Sequence, residues 1–217
     1  MEIIEYAIKK LNMLGIEIAL VISERNDLIF REKLKGYNIR YYYQKKTLGT
    51  ANALYSARSF VTDDYFLVLM GDYLSNFDIE NLIYSNSPTV LGYMVNDLSR
   101  SGAIMIDSDS IAYEISEKKE RSRGLANNGA YLMLIQFFEL YSKISSDKAT
   151  GKFYLTDIVK MLYDQGSGFR VKLMYYWRPL NDAGKLENAI EDLSKFDYLS
   201  LKIRNATINN LSTILNM

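Results

Sequence analysis

Two uninterrupted apolar runs constrain this chain more than any other feature. Residues 18–22 read Ile-Ala-Leu-Val-Ile, and residues 66–70 read Phe-Leu-Val-Leu-Met. A strand with one wet face alternates apolar and polar residues; these do not, so each is expected to be covered on both sides. Between and around them the period changes to that of a helix. Ile3, Ile4, Ala7, Ile8, Leu11 and Leu14 line one helical face, and residues 26–34, 50–60 and 78–84 read as helices, with strands at 38–43 and 89–95. Alternation of this kind predicts a parallel sheet sandwiched between helices.

The second half reads differently. Residues 103–107 and 110–117 suggest a hairpin, 125–134 a long strand, 136–143 and 155–163 helices, 169–177 a strand and 186–203 a final helix. No repeat or low-complexity tract interrupts the chain, and its two prolines, Pro88 and Pro179, mark no boundary. The fold class expected is one α/β domain over residues 1–217. It is a Rossmann-like, mixed but mostly parallel sheet flanked by helices, with antiparallel hairpin additions in the second half.

Composition narrows the chemistry. The 26 basic residues balance the 26 acidic ones, so no overall field recruits nucleic acid or a membrane surface. The absence of cysteine removes disulfides, thiolate metal sites and thiol nucleophiles; the absence of histidine removes the commonest general base and zinc ligand. What remains are carboxylates, hydroxyls, Lys and Arg, together with a hard, oxygen-ligated metal such as Mg²⁺.

Two segments carry candidate chemistry. Gln44-Lys45-Lys46-Thr47-Leu48-Gly49-Thr50-Ala51 joins a strand to a helix. A glycine there lets backbone approach a ligand closely, and the helix start offers N–H donors. The same glycine also serves a plain strand–loop–helix turn, and the spacing alone leaves both readings open. Gly71-Asp72 ends the second apolar run. In open parallel sheets ligands gather at the carboxyl ends of strands; Asp72 there either holds a metal or caps the next helix.

With those residues in view, the chain resembles the sugar-1-phosphate nucleotidyltransferases, the nucleotide-sugar pyrophosphorylases. The resemblance rests on Gln44-x-x-x-Leu48-Gly49-Thr50-Ala51 followed by Gly71-Asp72. It continues through Ser101-Gly102-Ala103-Ile104, Ile115-Ser116-Glu117-Lys118 and Asn127-x-Gly129-x-Tyr131 to Gly151–Ile158 with its Thr156-Asp157, and Asn181-Asp182. The last segments are similar to those of N-acetylglucosamine-1-phosphate uridylyltransferases. One such motif is weak; several in order over residues 1–193 are specific.

The resemblance implies roles. Gln44, Gly49 and Thr50 would bind the nucleotide; Asp72, with Asn181 or Asp182, would hold Mg²⁺; Gly102, Glu117 and Asn127 would bind the sugar. Lys118 could reach the sugar phosphate, although a Lys within Glu-Lys-Lys-Glu is commonly a solvated charge. Thr156 and Asp157 are expected to cap a helix. Tyr41, Tyr42 and Tyr43 are expected to alternate between core and surface. The implied enzyme is cytoplasmic. It takes an NTP and a sugar 1-phosphate, acts on neither nucleic acid nor membrane, and could be a homo-oligomer or have a partner chain over an open sheet edge.

One part of the family pattern is missing. A first strand, a Gly-rich loop with an Arg, and a Pro-Lys are expected before the first helix, yet this sequence opens on that helix. The Arg and Lys of the loop, the expected catalytic cations, have no counterpart, so the catalytic residues are unknown and turnover is expected to be impaired; the alternative is a non-catalytic paralogue that binds a nucleotide sugar and acts as a sensor or partner subunit. Lys152 also stands where the family carries Glu. Losing a central strand would leave the strands at 17–23 and 65–70 with unpaired edges about 9–10 Å apart. Three outcomes follow: the two strands pair directly; another segment or a partner chain supplies a strand; or the natural protein begins upstream. Energetics favours the last, since each buried unpaired backbone group costs about 1–3 kcal/mol.

Overall fold

The computed structural model describes residues 3–75, 79–99, 101–117, 122–174, 177–179 and 212–216. Along the chain run α1 (Ile3–Met13), β1 (Glu17–Ile22), α2 (Asp27–Lys33), β2 (Ile39–Tyr43), α3 (Thr50–Ser56), β3 (Tyr65–Met70), β4 (Tyr73–Ser75), α4 (Ile79–Ile83) and β5 (Thr89–Val95). They are followed by β6 (Gly102–Ile106), β7 (Ile111–Glu117), β8 (Gly124–Leu134), α5 (Phe137–Tyr141), α6 (Leu155–Asp164), β9 (Phe169–Leu173), β10 (Trp177–Pro179) and β11 (Ser212–Asn216).

The apolar runs are covered on both faces, as their lack of alternation requires. In β1, Ala19 and Val21 pack into a layer with Ala51 and Leu54 of α3 and Ile158 and Leu162 of α6. Ile18, Leu20 and Ile22 pack into the opposite layer with Ile4, Ile8 and Leu11 of α1 and Leu82 of α4. β3 divides in the same way, Phe66 and Val68 to the first layer and Leu67 and Leu69 to the second. Tyr41 and Tyr43 lean on the α1 layer and Tyr42 on the α3 layer. The tyrosine run therefore alternates between two cores rather than between core and surface.

The main sheet has the order β2-β1-β11-β3-β8-β5-β9-β7-β6. Its first four strands are parallel. Beyond β3, only β5–β9 is parallel; β3–β8, β5–β8, β7–β9 and β6–β7 are antiparallel. β6 returns to β8 through Ala103 and Ala126, so the second half closes on itself. A sheet that is parallel throughout most of its width is thus corrected to one that is parallel in its first half and largely antiparallel in its second. The cause is β8, an eleven-residue strand that runs against both β3 and β5.

The gap between β1 and β3 is filled. Ser212–Asn216 lies between them, parallel to both, with Ser212 level with Glu17 and Phe66, and Asn216 level with Val21 and Met70. Of the three outcomes above, a strand supplied by another segment of the same chain is the one observed. The predicted strand at 169–177 divides in two, and its second part, β10, pairs with β4. The helix expected at 186–203 lies outside the described residues, and among those described no helix is long and apolar enough to cross a membrane.

Candidate active site

The parallel strands end on one edge of the sheet, where Gln44 and Gly49 follow β2 and Asp72 follows β3. Gln44 directly follows β2, and its backbone N–H donates to the carbonyl of Ile22 at 3.0 Å. The Gln44 side chain turns back into its own loop. Nε2 donates to the carbonyl of Gly49 at 2.9 Å and to Asn52 Oδ1 at 3.1 Å, and Asn52 Nδ2 donates to the Tyr141 hydroxyl at 2.7 Å. Tyr141 stacks on Tyr55 with ring centroids 4.3 Å apart. Gln44 is therefore the outer end of a chain of hydrogen bonds anchored in α3 and α5, and it sets the shape of the 44–49 loop.

Gly49 is a glycine because of a protein neighbour. Its φ of 94° and ψ of 175° belong to a region other residues avoid, and a Cβ there would press on the Phe153 backbone, 2.9 Å from its nitrogen. The Phe153 N–H donates to the Leu48 carbonyl at 2.8 Å, and Ala51 N–H donates to the Phe153 carbonyl at 3.0 Å. The Ala51 N–H expected to face a ligand is thus already paired. Thr50 has a structural duty too: its Oγ1 accepts the Leu155 N–H at 3.0 Å and so caps α6. The cap expected from Thr156 and Asp157 is shared: Asp157 accepts a hydrogen bond from the Tyr154 backbone at the start of α6, and Thr50, 105 residues away, adds the bond to Leu155. Asp157 lies in the first turn of α6 with its side chain exposed; partial desolvation raises its carboxyl above the usual range, opposed by a hydrogen bond with the Tyr154 backbone and reinforced by the charge of Asp147. Lys152 is exposed in the preceding loop.

Asp72 is exposed, two residues past the end of β3. Immediately after it, Tyr73 pairs with Pro179 of β10. Asn181 and Asp182, the other predicted metal ligands, lie outside the described residues, as does Lys118.

The three predicted sugar residues come from separate strands and converge. Gly102 and Glu117 stand directly opposite each other across the β6–β7 pair. Asn127 pairs with Gly92 of β5, and its neighbour Ala126 pairs with Ala103, next to Gly102. The Asn127-x-Gly129-x-Tyr131 pattern is a bulge. Between the Val90–Tyr131 and Gly92–Asn127 pairs, β8 has more residues than β5, and Gly129 takes φ 79° to make the bend. Asn127 Oδ1 accepts the Gly129 N–H at 3.1 Å, and Asn128 Oδ1 accepts that of Ala130 at 3.0 Å. Tyr131 is wholly buried; burial pushes its phenol far above the usual range, opposed by a hydrogen bond from Asn127. Since Ala130 pairs with Leu69, the bulge lies beside the end of β3 that leads to Gly71 and Asp72.

The sequence does contain one Gly-x-Gly, Gly166-Ser167-Gly168, but it cannot stand in for the missing loop. It joins α6 to the beginning of β9, on the edge opposite the carboxyl ends. The Gly168 position is pressed by Ile111 and Tyr163.

The profile of the nucleotidyl transferase family matches residues 1–197. This chain belongs to the nucleotidyl transferase family. Its relatives include the bifunctional protein GlmU of Methanococcus maripaludis, 26% identical over 214 residues, covering 97% of this chain and 51% of the relative. Another is the D-glycero-alpha-D-manno-heptose 1-phosphate guanylyltransferase of Campylobacter jejuni, 29% identical over 153 residues, covering 67% and 69%. The chain thus spans about half the length of its GlmU relatives. Among solved structures, a candidate glucose-1-phosphate thymidylyltransferase from Bacillus anthracis, in complex with a sucrose, superposes with a TM-score of 0.72 at 24% identity over 94% of this chain and 85% of that one. HddC from Yersinia pseudotuberculosis gives 0.68 at 22% identity, over 89% and 88%. At these identities the likeness is one of fold. The nucleotidyl transferase match ends before β11 begins.

Proposed function

We propose that this nucleotidyl transferase chain binds an NTP and a sugar 1-phosphate at the carboxyl edge of its sheet, for the synthesis of a nucleotide sugar. The reading rests above all on convergence: the Gln44–Thr50 loop, Asp72 and the Gly102, Glu117 and Asn127 group come from five strands and meet on one edge. The 44–50 loop would lie against the base, with Gln44 and Thr50 bracing it from within. Gly102, Glu117 and Asn127 offer backbone groups, a carboxylate and an amide to sugar hydroxyls. In the reaction a phosphate oxygen of the sugar 1-phosphate bonds to the α-phosphorus of the NTP, the bond from that phosphorus to the bridging oxygen breaks, and pyrophosphate leaves. Nothing in this displacement requires a covalent nucleophile, histidine or cysteine; it relies on alignment and charge neutralisation.

The donor set fits Mg²⁺. Among the described residues no group of three or more acidic side chains forms a cage, and Mg²⁺ ordinarily takes one or two carboxylates, with water and phosphate oxygens filling the rest. Asp72 would supply one carboxylate, and Asn181 or Asp182, outside the described residues, a second ligand. When bound, the ion would neutralise phosphate charge.

Pyrophosphate release is the test, measured with each of the four common NTPs against several sugar 1-phosphates in Mg²⁺. Mg²⁺-dependent release with one pair supports the reading. No release, with no nucleotide raising the melting temperature, removes it.

A further inference from the structure

Gln44 and Asp72 lie on opposite sides of β11. Tyr43, just before Gln44, pairs with Ile22 of β1, and Asp72 is two residues past Met70 of β3. β1 and β3 do not touch as strands; each is paired to Ser212–Asn216, which ends at Asn216, level with Val21 and Met70. The β1 and β3 walls are therefore two strand spacings apart, about 9–10 Å, and β2, which leads to Gln44, is three spacings from β3, about 14 Å. Without β11, β1 and β3 would either stand apart over two unpaired edges or close to a single spacing of about 4.8 Å, bringing β2 one spacing nearer to β3. In both cases the Gln44 loop and Asp72 would no longer be set for the same ligand.

We propose that docking of the C-terminal strand Ser212–Asn216 between β1 and β3 sets the width of the candidate site, so that strand docking and Mg²⁺-nucleotide binding are linked. The inference rests on the reading of the site as a nucleotide site. It goes beyond it by giving a strand outside the matched family stretch control over binding. The slot calls for a strand: it is flanked by apolar runs buried on both faces, and among the described residues the facing edges of β1 and β3 pair with Ser212–Asn216 alone. A ligand that bridges the two walls binds the docked form only, and by linkage it stabilises that form.

Amide hydrogen exchange on the intact chain tests this. Exchange of residues 212–216 is followed by mass spectrometry with Mg²⁺ alone and with Mg²⁺ plus each NTP, alongside the melting temperature. With a nucleotide at 100 times its Kd, exchange of 212–216 is expected to slow by up to about 100-fold, while β9 changes far less. A nucleotide that raises the melting temperature but slows 212–216 less than about threefold overturns the linkage and leaves the nucleotide site standing. Equal slowing in β9 overturns it too, because that reports stabilisation of the whole fold. If no nucleotide raises the melting temperature, the nucleotide reading falls and the linkage with it.

Discussion

Gln44 donates its side-chain amide to the carbonyl of Gly49, 2.9 Å away, and Gly49 in turn lies against the backbone of Phe153. The residues that look like a ligand-binding pair in sequence are first a loop lock. Gly49→Ala is expected to destabilise the fold by more than the ~1–3 kcal/mol of a strained backbone alone, because the new methyl also meets Phe153. At roughly 2–4 °C per kcal/mol for a chain of this size, thermal melting would register a drop of several degrees. An unchanged melting temperature would show that the 48–51 and 153–155 segments do not pack as described.

Asp72 allows a cleaner separation of binding from stability. It is exposed and begins no helix, so Asp72→Ala should leave the stability of the free protein within about half a kcal/mol of the original. Mg²⁺-dependent nucleotide affinity should fall at least tenfold, about 1.4 kcal/mol. Calorimetry with and without Mg²⁺ checks both. Retained Mg²⁺ dependence would move the metal away from Asp72.

Tyr131 and Asn127 tie the core to the sugar side of the site. Tyr131→Phe removes a buried hydroxyl and leaves Asn127 without that partner. The expected cost is about 1 kcal/mol in stability, together with weaker binding of sugar phosphate as Asn127 loses its support. The two effects can be read from a melt and from sugar-phosphate titration. A variant of normal stability and normal sugar affinity would rule out the positioning role.

Acid sensitivity should trace to three aspartates. Asp27 is held below the usual carboxylate range by the Tyr43 hydroxyl and then by Arg31. Asp107 is held low by the Ile111 and Asp109 backbone and the Tyr163 hydroxyl. Asp147 is held low by the side chain and backbone of Thr150 and the backbone of Ala149. A carboxyl lowered on folding contributes stability that is present above its unfolded pKa, near 3.8, and is lost as the pH falls through the folded value. Asp157 runs the other way: with its folded pKa raised, it favours folding at low pH and that contribution is lost as the pH rises from about 3.8 through the folded value. Asp107→Asn should flatten the stability profile below pH 4, and Asp157→Asn should flatten it just above. Melting temperatures taken between pH 3 and 6 would show either slope persisting if these environments are wrong.

Much of the fold was legible because the signals were local. The runs at 18–22 and 66–70, the helical spacing of Ile4, Ile8 and Leu11, and the hairpin pairing Gly102 with Glu117 depend on near neighbours in the chain. Other features were not. β4 and β10 are three residues each and exist through each other. The use of Thr50 to cap α6, and the pressure of Phe153 on Gly49, join residues about a hundred positions apart. No spacing rule reaches that far. The Asn-x-Gly-x-Tyr pattern was visible as a motif, but the bulge that explains its glycine depends on the register of β8 against β5.

By itself the sequence determined the class of the fold, the family, and which residues stand at strand ends, since period and motif order are properties of short stretches. Only the tertiary structure decided what lies between β1 and β3. Ser-Thr-Ile-Leu-Asn is too short to announce a central strand, and its place comes from ladders on both sides to runs some 140 and 190 residues earlier. Strand pairing is set by which partners the whole chain leaves open, and that choice is global.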